Sequence, residues 1–78
     1  MKERVIELIT EVLDVPEGTV TEASGRDSVA GWDSSAELNL GLALEEAFEI
    51  QLQPEELMSL QSVEQILGIL ASHQVDAA

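Results

Sequence analysis

An aspartate and a serine stand together at Asp33-Ser34, within Gly31-Trp32-Asp33-Ser34-Ser35-Ala36-Glu37, and a leucine-rich run from Leu38 to Phe48 begins just behind them. That order puts the Ser34 hydroxyl at the start of a helix. Backbone N–H groups there lack an intrahelical partner, and the helix dipole presents its positive end, so the position suits a phosphate. Ser34 is thus placed either to carry a phosphate ester or to act as a simple cap. The capping role has its own spacing, since Glu37 follows Ser34 by three residues as in a capping box. The two roles are compatible, because an esterified serine still holds oxygen atoms near those amides.

The remaining residues offer little chemistry, and neither catalytic nor metal-binding residues are expected. His73 is the single histidine and falls in the last turn of a helix, where interaction with the dipole is the ordinary role. The chain has no cysteine, which excludes disulfides and thiolate metal sites and fits a reducing compartment. Its acids lack the spacing of a calcium loop, and Gly18, Gly25 and Gly31 are too scattered to cradle a phosphate. Pairs such as Glu45-Glu46 and Glu55-Glu56 read as solvated helix faces. Trp32 reads as a hydrophobic anchor between a loop and the helix start.

These residues must be positioned by a small scaffold. Seventy-eight residues suffice for one domain, 1–78, with a frayed tail at 74–78. Apolar residues are 45% of the chain. With only Trp32 and Phe48 aromatic, the core must be aliphatic. Val5, Ile9 and Val12 set a first helix over 2–14, ended by Pro16. Residues 16–32, rich in Gly, Thr, Ser and Asp, form a long loop anchored by Val20 and Val29. A second helix runs from Ser34 to Phe48, apolar around most of its circumference and therefore central. Pro54 opens a short third helix through Leu60. Ser62, with Gln65, opens a fourth whose buried stripe is Val63, Ile66, Leu67 and Leu70. The fold class is all-α: a four-helix bundle of three longer helices and one short third helix, with a long loop between the first two.

Charge narrows the partners. The net charge is −13, and the three basic residues, Lys2, Arg4 and Arg26, all precede Asp27. Such a field repels nucleic acid and anionic membranes and attracts basic protein patches. No apolar run approaches membrane-spanning length, so no membrane insertion is expected. Glu7 and Glu11 interrupt the apolar residues that a secretory signal would need, and a cytoplasmic location is expected.

Over nearly its whole length the chain resembles an acyl carrier protein of the phosphopantetheine-binding family. The resemblance lies in the acidic four-helix layout, the long first loop, Gly31-Trp32-Asp33-Ser34, and Ala43-Leu44-Glu45-Glu46-Ala47-Phe48-Glu49-Ile50. It implies a discrete, monomeric carrier rather than an enzyme. A phosphopantetheinyl transferase would place 4′-phosphopantetheine, from coenzyme A, on Ser34. The thiol of that arm would hold acyl groups as thioesters for acyl-transferring or ketosynthase-type enzymes of lipid or polyketide-type synthesis. Asp33, Glu37, Glu45 and Glu46 would meet basic patches on those partners, with Leu38 and Gly41 on the docking face. Leu38, Leu42, Phe48, Leu57, Ile66 and Leu70 are the expected walls of any chain-binding cavity.

Three residues depart from the family pattern. Ser35 replaces the usual apolar residue, Asn39 replaces a frequent acid, and Gly41 interrupts a helix at a cost of about 1 kcal/mol relative to alanine. The expectation for Gly41 is a shallow groove for the arm; close packing of a neighbour is the alternative. An aminoacyl or peptidyl carrier is the nearest rival reading, disfavoured by Gly31-Trp32 where such carriers more often have two glycines. The rival from another class is an unmodified acidic helical interaction module.

Overall fold

The computed structural model describes residues 2–73 and contains four helices among them: α1 (Lys2–Leu13), α2 (Ser34–Phe48), α3 (Pro54–Leu57) and α4 (Val63–Ser72). This is the expected all-α arrangement, with the long loop between α1 and α2. The tail at 74–78 lies outside the described residues. None of the described helices is long and apolar enough to cross a membrane.

Helical periodicity places the core. Val5 and Ile9 of α1, Leu40 and Leu44 of α2, and Val63, Ile66 and Leu70 of α4 are fully removed from water. Burial of each aliphatic side chain contributes about 1.5–3 kcal/mol. The helix α2 packs on α1 and α3, and α1 packs on α4. Glu3, Glu7 and Glu11 stay on the exposed side of α1.

Two helices end in the same way. Asp14 adopts a left-handed conformation (φ 55), and the Val15 N–H donates to the Thr10 carbonyl at 3.3 Å. Glu49 does likewise after α2 (φ 54), where the Ile50 N–H donates to the Glu45 carbonyl at 3.2 Å. Each bond satisfies a carbonyl left open at the helix end. The first helix therefore closes at Leu13, and Pro16 lies just past this cap, where it bars the helix from continuing.

The long loop is held at several points. Val20, Val29 and Trp32 are buried in the core, as their anchoring role requires. The Trp32 indole Nε1 donates to the Leu60 carbonyl at 2.9 Å. Gly25 pairs with Ser62 in an isolated antiparallel bridge, in which the Arg26 N–H donates to Gln61 O at 2.8 Å and the Val63 N–H to Ser24 O at 3.0 Å. A Cβ on Gly25 would stand 2.9 Å from the Gln61 carbonyl oxygen, so glycine is what permits this approach.

Three expectations are corrected. The third helix ends at Leu57, not Leu60, because the chain turns through Ser59 (N–H to Glu56 O, 3.0 Å) to insert Leu60 into the core under Trp32. Ser62 does cap α4, accepting the Gln65 N–H at 3.1 Å, but the Gln65 side chain contacts the Ser62 hydroxyl instead of returning to the backbone. The all-round apolarity of α2 does not mean all-round burial: Leu38 and Leu42 are 58% and 65% exposed.

Candidate functional site

The cap of α2 belongs to Asp33, not to Ser34. Asp33 has extended backbone angles, and its Oδ1 accepts the Ala36 N–H at 3.0 Å. An N-cap side chain reaches the second or third helical residue, and from position 33 that third residue is Ala36. The expected capping box between Ser34 and Glu37 is therefore absent. Ser34 becomes the first helical residue, exposed, with its hydroxyl released from capping. Ser35 and Asn39 are also exposed.

Among the described residues, the Ser34 hydroxyl has one hydrogen-bond partner. Arg26 Nη2 donates to Ser34 Oγ at 3.3 Å, and Arg26 Nη1 lies 3.5 Å from Glu37 Oε2. The backbone of Arg26 is fixed by the bridge to Gln61 and by a following turn, in which Ser28 and Val29 both donate to the Gly25 carbonyl at 3.0 Å. By sequence Arg26 is only one of three basic residues. The available signal was its isolation, since no other lysine or arginine follows Arg4.

Glu37 differs from its expected surface role. Its side chain is only 7% exposed, one turn along α2 from Asp33, and faces the arginine. Among the described residues its Oε2 has no hydrogen-bond partner. A buried carboxylate is costly unless paired, and Arg26 is the cation that pairs it.

Arg26, Ser34, Glu37, Leu38, Leu57, Met58 and Gln61 line an open cleft of about 290 Å³ between the start of α2 and α3. Its rim is apolar on one side, where Leu38 and Met58 (74% exposed) face solvent. Gly41 does not contribute the expected groove. It is buried, and an added Cβ would overlap the Leu57 side chain, so the missing side chain lets α3 pack closely on α2. The expected cavity walls also separate: Ile66 and Leu70 are sealed in the core while Leu38 and Leu42 face outward.

The other acids divide. Glu46 is exposed, whereas Glu45 is half-buried and its Oε2 accepts the Leu52 N–H at 2.8 Å. His73 pairs with Glu56 across the gap between α4 and α3 (Nε2 to Oε2, 2.8 Å), a tie between helices in place of the expected dipole contact. The Glu56 carboxyl is held below the ordinary glutamate range, first because it accepts the Gln53 N–H and further by His73.

The geometry thus presents a free serine hydroxyl at the first turn of a helix, beside a cation and at the mouth of a cleft open enough for an attached group. Residues 3–70 match the family described as the phosphopantetheine attachment site. Members of that family bear covalently attached 4′-phosphopantetheine and are substrates of a phosphopantetheinyl transferase, not catalysts. The match spans most of the 78 residues, and the chain belongs to the phosphopantetheine attachment site family of carrier proteins.

Proposed function

We propose that Ser34 is the attachment residue and that the chain carries acyl groups for enzymes of lipid or polyketide-type synthesis. The observation that supports this reading is the exposed Ser34 hydroxyl, on the first turn of α2 and freed from capping by Asp33. The attached group supplies a thiol that holds acyl chains as thioesters. The residues of this chain hold the phosphodiester end and present the arm. Unpaired amides of the first turn and the positive end of the α2 dipole favour the phosphate. Leu38, Leu57 and Met58 give the cleft an apolar side along which an arm can lie. Gly31-Trp32 favours an acyl over an aminoacyl or peptidyl carrier.

Partner enzymes dock on the outer side of α2 in this reading. Asp33, Glu45 and Glu46 meet basic patches, while exposed Leu38 and Leu42 fill apolar contacts. Glu37 and Gly41 lie beneath that surface and shape it from behind. Each exposed ion pair contributes only about 0.2–1 kcal/mol, so docking is brief and salt-sensitive, as a shuttle requires.

Intact-mass measurement after incubation with coenzyme A, magnesium and a broad-specificity phosphopantetheinyl transferase tests the attachment. A single phosphopantetheinyl gain in wild type and Ser35→Ala, absent in Ser34→Ala, is expected. No gain under several transferases would leave an unmodified interaction module as the better account.

A further inference from the structure

All three basic residues have assigned contacts. Lys2 pairs with Glu22 at 2.6 Å, and Arg4 lies over the Phe48 ring, 5.1 Å from its centroid. Arg26 alone faces Ser34, and it does so from a backbone position fixed on both sides. Its contacts are loose, at 3.3 Å to the serine and 3.5 Å to Glu37, whose Oε2 still lacks a hydrogen bond. A carboxylate more than nine-tenths buried beside the site of an anion is costly on its own account. It makes physical sense as the group that orients a cation.

We propose that Arg26 is the phosphate-binding side chain of this carrier, positioned by Glu37, once Ser34 bears its phosphodiester. This rests on the assignment of Ser34 above. A guanidinium presents five N–H donors in a planar fork and binds phosphate oxygens with two of them. Nη1 stays with Glu37, while Nη2, now on the serine hydroxyl, moves onto a non-bridging phosphate oxygen. The added negative charge enters beside Asp33 and Glu37 in a chain already at −13, and Arg26 offsets it locally. The base of the arm is thereby tethered toward the loop, and its far end is directed along Leu38, Leu57 and Met58.

The test compares apo and modified protein by arginine side-chain nitrogen NMR and by phosphorus NMR. The chain has two arginines, so Arg26→Lys assigns the signals. On modification the Arg26 guanidinium signals shift and its Nη rotation slows, while Arg4 signals stay in place. The phosphorus resonance moves in Arg26→Gln. It also moves in the double variant Arg26→Gln with Glu37→Gln, which leaves no bare buried charge and so guards against misfolding. Full mass gain with unmoved Arg26 signals and an unchanged phosphorus resonance overturns the proposal alone. Absence of any mass gain overturns the Ser34 assignment and this proposal with it.

Discussion

The two faces of α2 carry the same residue type in opposite surroundings. Leu40 and Leu44 are fully buried, on a helix that packs against α1 and α3, while Leu38 and Leu42 lie largely in solvent. The inner pair holds the fold together. The outer pair adds almost nothing to it, yet leaves apolar surface where solvation would favour polar residues. The difference separates what stabilises this chain from what it offers to partners, and substitution on each face can break that division.

The largest effect is expected on the inner face. Leu40→Ala should cost about 2–5 kcal/mol, a large share of the roughly 5–15 kcal/mol that holds a domain together. Leu38→Ala and Leu42→Ala should change stability by no more than about 0.5 kcal/mol in urea unfolding while slowing modification or acyl transfer. Equal destabilisation by inner and outer substitutions would break the comparison.

A second test acts at the helix start that serves both faces. Asp33→Ala removes the cap and should cost about 0.5–2 kcal/mol, whereas Ser34→Ala should cost clearly less because Ser34 does not cap. A reversed order in thermal melts would return the cap to Ser34.

The third test moves to α3, which borders the outer face. Glu56 binds its proton less readily in the folded chain than when unfolded. Its contacts with Gln53 and His73 therefore add stability at neutral pH and lose it as pH falls through the lowered folded value. Glu56→Gln should be less stable than wild type at neutral pH, with the gap closing in acid. A gap independent of pH would mean that the carboxylate charge does nothing here.

The smallest effect has opposite signs for the two roles. Added salt screens the self-repulsion of a chain at −13 and should raise the melting temperature modestly. The same salt should slow encounter with basic partners. A melting temperature that stays flat or falls with salt would contradict the first, and a salt-independent modification rate the second.

Much of this was legible in the sequence. Periodicity located α1 and α4, and the Asp33-Ser34 pair marked the start of α2 because only certain residue types satisfy free amides there. Which of the two adjacent residues does the capping was not legible, since both types cap well. The faces of α2 were hidden for a related reason. When leucines and alanines surround a helix, spacing no longer says which side is inward; packing against α1 and α3 decides. The Arg26–Glu37 pair depends on a loop whose course is fixed by Gly25 meeting Gln61 and Ser62, a contact between distant segments that no local pattern records. Gly41 is anomalous within a helical sequence, but only the position of α3 makes Leu57 its partner.

The central claim is that Asp33 caps α2 and thereby leaves the Ser34 hydroxyl free for modification. Fragmentation mass spectrometry of the modified wild-type chain tests it most directly, because it assigns the added group to one residue without any substitution. The account predicts phosphopantetheine on Ser34 alone, with Ser35 unmodified. Attachment at Ser35, or at any other hydroxyl, would contradict it.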